Sequence, residues 1–137
     1  MAYFVAAEID EIRPGQRKLV QVNGRDIVIF NVSGSFYALH NRCPHQGASL
    51  CDGLLTIAVT SKEPGIYDFD ETRNVIRCPW HAWEFDIRTG RSWCEPNRFR
   101  VRSYKTEVES GEKLLEGRLA VQSYPVRTDD TYILIDV

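Results

Sequence analysis

The sequence predicts an all-β fold, a small sandwich or barrel of short antiparallel strands, and three observations support this. Apolar and polar residues alternate over several short segments, which is the pattern of a half-buried strand. Turn sequences containing Gly separate these segments, and no long segment has the period of an amphipathic helix. The 137 residues, 43% of them hydrophobic, suit a chain with its own core, so we expect residues 1–137 to form a single domain.

The first half of the chain contains three consecutive predicted strands joined by tight turns. Residues 18–22 alternate in polarity, and the Asn-Gly pair at 23–24 is typical of a two-residue hairpin turn. Residues 27–32 are rich in β-branched side chains and predict the returning strand. Ser-Gly-Ser at 33–35 predicts the next turn, and residues 36–40 the third strand.

The predicted strands of the second half are separated by longer connections. Residues 56–72 are polar, contain a Pro-Gly pair and predict a loop-like insertion. The best helical candidate is short and covers residues 111–115. The remaining predicted strands cover residues 74–77, 83–87, 99–108, 119–126 and 132–137, with a turn at 88–91.

Charge and hydropathy exclude several classes of function. The formal net charge is -2 and no basic tail or basic helix is visible, so we expect no nucleic-acid partner. No apolar segment approaches the roughly 20 residues that cross a bilayer, and the N-terminus lacks the features of a secretory signal. We therefore expect a cytoplasmic protein that does not bind membranes. In a reducing compartment, Cys close to His indicates metal binding or catalysis before disulfides.

Two short motifs carry the candidate metal ligands. Cys43 and His45 form a Cys-Pro-His motif, and Cys78 and His81 form a Cys-Pro-Trp-His motif after an interval of 32 residues, 46–77. One thiolate and one imidazole from each loop suit a 2Fe–2S cluster in which two Cys hold one iron and two His the other. The same four ligands suit a Cys2His2 zinc site. A red-brown colour and a paramagnetic resonance signal after reduction would identify iron, because a zinc protein has neither.

The flanks of both motifs resemble Rieske ferredoxins and the Rieske domains of oxygenase systems. Residues 43–48 read Cys-Pro-His-Gln-Gly-Ala, and residues 78–86 read Cys-Pro-Trp-His-Ala-Trp-Glu-Phe-Asp, with Arg-Thr-Gly at 88–90. The resemblance extends over most of the chain and is sharpest over 43–52 and 77–90. It implies one Rieske-type 2Fe–2S cluster.

The resemblance also implies an architecture and a division of the ligands. It implies a Rieske fold whose cluster-binding subdomain, about residues 40–96, is inserted in a basal β domain of residues 1–39 and 97–137. Cys43 and Cys78 are then the ligands of the buried iron. His45 and His81 are the ligands of the outer iron near the surface, where an electron would leave.

Three neighbours of the motifs are further candidates. Gly47 follows His45 where the backbone approaches the cluster, although an ordinary loop glycine fits the sequence nearly as well. Pro96 is the candidate for the Pro-containing loop that covers the cluster in the family, with a plain turn proline as the alternative. Trp80 is a candidate for the surface where partners dock, with core packing as the alternative. Trp83 could also line that surface, but for it core packing is the favoured interpretation.

Two departures from relatives narrow the resemblance. Respiratory Rieske proteins bridge their ligand loops with a disulfide, but Ala48 and Trp80 occupy the matching positions, so the ferredoxin and oxygenase branch is expected. The remaining cysteines, Cys51 and Cys94, are predicted to be unreactive thiols. The interval between the motifs is about twice the usual ferredoxin length, and the excess falls on residues 56–72.

The predicted function is electron transfer without catalysis by the chain alone. The sequence has three His, of which two are assigned to the cluster, so it cannot supply the two His of a separate mononuclear iron site. No Gly-rich nucleotide motif in a β-α-β setting is present. The resemblance implies a ferredoxin that takes one electron from a reductase and gives it to a terminal oxygenase. The alternatives are a small Rieske-like subunit of a nitrite-reductase-type enzyme and a redox-sensing module.

Overall fold

The computed structural model shows a chain folded almost entirely into β-strands, as the sequence predicts. The structure describes residues 3–42, 49–79, 84–92, 100–115, 120–121 and 126–137. The strands are β1 (Tyr3–Glu8), β2 (Arg17–Val22), β3 (Arg25–Val32), β4 (Ser35–His40), β5 (Leu54–Glu63), β6 (Ile66–Arg77), β7 (Glu84–Asp86), β8 (Ser103–Tyr104), β9 (Thr106–Ser110), β10 (Ala120–Val121) and β11 (Thr131–Asp136). The helix α1 (Gly111–Leu115) and two 3-10 turns, Ile9–Glu11 and Leu50–Asp52, complete the described elements.

Three small sheets contain these strands. The first has the order β2-β3-β4-β8, the second β10-β1-β11-β9 and the third β5-β6-β7. All strand pairs are antiparallel except β1 with β10, which run parallel. In the part of the chain that the structure describes, no helix is long and apolar enough to cross a membrane.

The turns of the first sheet confirm the sequence prediction. Asn23 and Gly24 have φ values of 50° and 74°, so both central residues of the β2–β3 turn adopt the left-handed conformation that a type I′ hairpin requires. Ser33 and Gly34, with φ values of 53° and 92°, make the same kind of turn between β3 and β4. Asn and Gly tolerate this conformation at little cost, which explains why the sequence located the first turn correctly.

The loop-like insertion predicted over residues 56–72 is wrong, because these residues belong to a long hairpin. β5 and β6 pair along most of their length and turn at Pro64 and Gly65, where Gly65 has a φ of 84°. The short strand predicted at 74–77 is the end of β6. The polar composition concealed the hairpin because a two-stranded ribbon needs no continuous apolar face, whereas Pro-Gly is a strong turn signal.

The hairpin has two parts that are separated by an irregularity. At its base, residues 54–57 pair with 74–77, and β7 adds a third strand to residues 75–77. The ladder then shifts, since Ile57 is opposite Asn74 but Ala58 is opposite Asp70. Residues 58–70, which we call the arm, pair with one another and with no other strand in the described residues. At about 3.3 Å per residue the arm extends roughly 20 Å from the base.

The two ends of the chain meet in the second sheet, which the sequence did not predict. β1 has no predicted counterpart, yet it lies between β10 and β11. The single strand predicted at 99–108 is divided between sheets, because β8 pairs with β4 whereas β9 pairs with β11. Such a change of sheet within a few residues leaves no mark on local polarity. The predictions at 111–115 and 132–137 are confirmed by α1 and β11.

β3 separates two hydrophobic cores. Its residues Ile27, Val28, Ile29 and Phe30 are all fully buried, which is expected of a strand covered on both faces. The first core contains Val28, Phe30, Leu39, Leu50, Ile76, Cys78, Phe85, Ile87 and Val101. The second contains Ala6, Ala7, Ile12, Val22, Ile27, Ile29, Ala38, Tyr104, Ile133 and Ile135. Because the first core includes Leu50 and Cys78, it borders the described ends of the two segments that carry the candidate metal-binding motifs.

Candidate metal centre

The structure describes one of the four predicted ligands, Cys78. Cys43, His45 and His81 lie outside the described residues, as do Gly47, Trp80 and Pro96 and the unassigned Cys94. Their predicted roles therefore stay predictions. The described residues on either side of these segments show how the chain brings them together.

Cys78 directly follows β6 and is 2% exposed. It packs in the first core, which it shares with Leu50, Ile76 and Phe85. β6 ends at Arg77 because Pro79 cannot donate to a further ladder hydrogen bond. A sulfur in this position is shielded from water, as a ligand of a buried iron must be.

Gly53, which follows the first motif, packs against Arg77, which directly precedes the second motif. A Cβ atom at Gly53 would lie 2.1 Å from the carbonyl oxygen of Arg77, so the backbones are in direct contact and only glycine fits. Leu54 pairs with Arg77 at the base of the hairpin. The long interval between the motifs is therefore closed at its base, where Gly53 and Leu54 lie against Arg77.

The first ligand segment, residues 43–48, is closed by the side chain of Asn41. The Asn41 amide donates to the Ser49 hydroxyl at 2.8 Å, and its carbonyl oxygen accepts from the Cys51 N–H at 2.7 Å. The Asn41 backbone N–H donates to the carbonyl of Asp26 on β3 at 2.9 Å. One side chain thus joins the entrance of the segment to its exit and connects both to the central strand.

The guanidinium of Arg17, in the first sheet, binds the residues that follow the first ligand segment. Arg17 on β2 donates from Nε to the Cys51 carbonyl at 2.7 Å and from Nη2 to the Gly53 carbonyl at 2.5 Å. Hydrogen bonds from a charged donor are about twice as strong as neutral ones, and the planar fork of arginine suits two acceptors at once. The 3-10 turn Leu50–Asp52 is thereby tied to the first sheet.

The second ligand segment and the segment containing Pro96 are closed in the same manner. Arg77 and Glu84 are register partners on β6 and β7, and their side chains form an ion pair at 3.3 Å across residues 78–83. Arg91 bridges to Arg100, and the Val101 N–H donates to the Gly90 carbonyl at 2.7 Å, which joins the ends of residues 93–99. All three segments therefore begin and end on described strands or turns.

A cavity of about 370 Å³ opens beside Cys78, between the end of the 3-10 turn Leu50–Asp52 and the end of β6. Cys78 lines it together with Asp52, Gly53, Leu54, Arg77 and Pro79. A buried thiol beside an open space, with a second Cys and two His in the adjoining segments, fits a cluster held between the two loops. Within the described residues no three His, Cys, Asp or Glu side chains group as a metal site, because the other predicted ligands lie outside that part of the chain.

Two other predictions concern residues near the site. Cys51 is half-buried; burial raises the pKa of its thiol, and the charge of Arg17 opposes this in part. A raised pKa disfavours the thiolate, which fits the predicted unreactive thiol. His40, predicted to be structural, ends β4, and its backbone N–H donates to the Arg102 carbonyl at 2.8 Å. Its Nδ1 is buried and has no hydrogen-bond partner among the described residues.

Sequence reasoning missed the two residues that hold the first ligand segment. Asn41 lies two residues before Cys43, and its position there was the available signal. Arg17 had none, because it lies 34 residues from the carbonyl it binds and only the packing of sheets brings them together.

Comparisons with known proteins agree with the resemblance seen in the motifs. The family model described as the Rieske [2Fe-2S] domain matches residues 2–105. The ferredoxin component of naphthalene 1,2-dioxygenase/salicylate 5-hydroxylase systems from a Ralstonia species is 32% identical over 111 residues, which are 81% of this chain and 91% of that protein.

Solved structures share the fold over nearly the full length. The ferredoxin of carbazole 1,9a-dioxygenase from Nocardioides aromaticivorans has a TM-score of 0.63 at 24% identity, covering 98% of this chain and 97% of that one. A protein described as a NADH-dependent nitrite reductase small subunit from Mycobacterium tuberculosis has a TM-score of 0.67 at 19% identity, covering 99% and 96%. At these identities the likeness shows the fold alone.

Proposed function

Because this chain belongs to the Rieske [2Fe–2S] domain family, we propose that it is a one-electron carrier that connects a reductase to a terminal oxygenase. The relative from Ralstonia is named as a ferredoxin component, and the match covers 91% of it. The chain has three His in all, too few for both a Rieske site and a two-His mononuclear iron. We place the protein in the cytoplasm and expect transient docking through a small interface.

We propose Cys43, His45, Cys78 and His81 as the ligands of one Rieske cluster. When bound, such a cluster supplies one-electron chemistry at potentials of roughly −150 to +300 mV. The contact between Gly53 and Arg77 is the observation that carries this assignment, because it places the exit of the first ligand segment against the entrance of the second. Burial of Cys78 in the first core excludes water from one side of the site.

The neighbouring candidates keep their predicted roles in this proposal. Gly47 lets the backbone approach the cluster, Pro96 belongs to the covering loop and Trp80 belongs to the docking surface. The division into a cluster-binding subdomain, about 40–96, and a basal part, 1–39 and 97–137, is likewise proposed. The third sheet supports it, since all of its strands lie between residues 54 and 86.

Substitution of the proposed ligands tests the cluster. We expect Cys43→Ser, His45→Ala, Cys78→Ser and His81→Ala to lose the red-brown absorbance and the resonance signal of the reduced protein. Cys51→Ser and His40→Gln are matched controls of the same residue types, and both should keep one cluster per chain. A colourless protein with one zinc ion per chain, lost in the same four variants, would instead establish the zinc alternative.

The fold does not separate this function from the nitrite-reductase alternative, because the Mycobacterium tuberculosis protein shares the fold. Electron-transfer kinetics separate the two functions. The reduced protein should be reoxidised rapidly by a terminal oxygenase and slowly by the large subunit of a nitrite reductase. The reverse order would overturn the oxygenase assignment while leaving the cluster intact, and reoxidation by neither would favour a redox sensor.

A further inference from the structure

We propose that Arg17 is a positioning residue for the cluster: it holds the first ligand segment in register with Cys78 from a strand outside both ligand loops. The inference rests on the proposed function for the assignment of Cys43 and His45 as ligands. It rests on the structure for every contact that follows.

The guanidinium binds two carbonyls that both belong to the exit of the first ligand segment. Nε donates to Cys51 O at 2.7 Å and Nη2 donates to Gly53 O at 2.5 Å. These acceptors flank Asp52, the last residue of the 3-10 turn. Lysine has one donor nitrogen and cannot reproduce a planar fork, so the arrangement depends on arginine and not on positive charge alone.

The backbone of Arg17 is itself held in place by the first sheet. It is the register partner of Phe30 on β3, and Phe30 is fully buried between neighbouring elements of the first core. The backbone beneath the guanidinium therefore cannot shift without disturbing the central strand.

The exit of the first ligand segment packs, in turn, against the residue that precedes Cys78. Gly53 contacts the Arg77 carbonyl so closely that even a Cβ atom would collide with it. Arg77 immediately precedes Cys78. Arg17 thus fixes one end of the first ligand segment and, through Gly53, the entrance of the second.

Asn41 also holds the backbone of Cys51, through the N–H group instead of the carbonyl. The Cys51 N–H donates to Asn41, while the Cys51 carbonyl accepts from Arg17. The backbone of Cys51 is consequently held at both its N–H and its carbonyl.

Loss of the fork should make the cluster labile without unfolding the protein. Residues that orient metal ligands from outside typically change metal affinity by about 10-fold to 100-fold when substituted. We expect Arg17→Gln to accelerate cluster loss to an iron chelator about 10-fold or more, and to broaden the resonance lines of the reduced cluster. Arg17→Lys, which keeps the charge, should have most of the same effect.

The control is Arg25→Gln, at the start of β3 and outside this network. Arg25→Gln should lose its cluster to the chelator, measured as bleaching of the cluster absorbance, at the wild-type rate. Urea unfolding of each variant is measured beside bleaching, because a merely structural role would accelerate cluster loss only in proportion to global unfolding. Wild-type bleaching in both Arg17 variants, or acceleration fully accounted for by unfolding, would overturn the proposal.

If Arg17→Gln does not fold, Arg17→Lys and Asn41→Ala provide the test, and both must bleach faster than Arg25→Gln. A wild-type protein that binds no cluster would refute the proposed function itself. A wild-type protein with a cluster that is indifferent to Arg17 would refute this inference alone.

Discussion

At the scale of single residues, the packing around the site requires glycine at two positions where no Cβ atom fits. Gly53 and Gly90 each lie against the carbonyl of a distant segment, where a Cβ atom would come within 2.1 Å and 1.9 Å. The positive φ of Gly90, 77°, adds a conformational reason for glycine there, whereas Gly53 has an ordinary extended φ of −80°. At Gly53 the requirement is therefore purely steric.

Gly53→Ala should lower the free energy of unfolding by about 1–3 kcal/mol, because the backbone of Arg77 must move to admit the methyl group. Gly65→Ala is the control. It lies at the tip of the arm with nothing within 4 Å, and its φ of 84° costs an alanine about 1–2 kcal/mol. Urea unfolding gives both values, and chelator bleaching should accelerate in Gly53→Ala alone. Equal bleaching in the two variants would contradict the contact between the ligand segments.

The thiol of Cys51 provides a prediction about pH. Burial raises its pKa above the ordinary value, and only the thiolate is nucleophilic. At neutral pH the folded protein should therefore be alkylated at Cys51 more slowly than the urea-unfolded chain, and the difference should narrow as the pH rises through the raised pKa. Site-resolved mass spectrometry after iodoacetamide treatment measures this, with Cys51→Ser to confirm the peptide. Faster alkylation in the folded state would show an activated thiol.

At the scale of elements, the hairpin of β5 and β6 distinguishes this chain from the shorter connections expected of ferredoxins. Its base forms the third sheet with β7, whereas the arm, residues 58–70, makes no strand pairing with any other described element. By sequence the arm contains Lys62 and the three carboxylates of Glu63, Asp68 and Asp70, a formal charge of -2 that equals that of the whole chain. Because the hairpin follows the first ligand segment and precedes the second along the chain, we expect a docked partner to meet the arm.

Replacing residues 58–73 by Asn-Gly should retain the cluster and alter docking. Ile57 and Asn74 are register partners, so a two-residue turn can join them. We expect unchanged absorbance and resonance spectra, and a second-order rate of electron transfer to the oxygenase that changes by about 10-fold or more, within the range that interface variants span. Its salt dependence should change too, because peripheral charges act on association. An unaltered rate at low and high salt would show that the arm does not take part in docking.

At the scale of the whole molecule, β3 separates the core beside the candidate metal centre from the core of the second sheet, in which β1 and β11 pair. The first core, on one face of β3, includes Cys78 and also Leu50, which lies just after the first ligand segment. The opposite face packs on the second core, to which β1 and β11 contribute. Damage to the first core should therefore reach the cluster more directly than equal damage elsewhere.

Leu50→Ala and Leu134→Ala test this separation. Both leucines are fully buried, Leu50 in the first core and Leu134 with Val5, Leu114 and Tyr132. Each truncation should cost about 2–5 kcal/mol of unfolding free energy. Cluster loss to a chelator, compared at matched distance from the unfolding midpoint, should accelerate in Leu50→Ala only. Equal acceleration in both variants would mean that cluster retention reports global stability.

The sequence by itself determined the all-β class, the positions of the tight turns and the two candidate metal-binding motifs. These are local properties, since an Asn-Gly turn and a Cys-Pro-His motif are complete within a few residues. Only the tertiary structure decided that 56–72 forms a hairpin, that 99–108 divides between two sheets, and that Arg17 reaches the carbonyls of Cys51 and Gly53. Each of these depends on partners far away in the chain, and strand pairing and side-chain reach across sheets leave no pattern in the local order of residues.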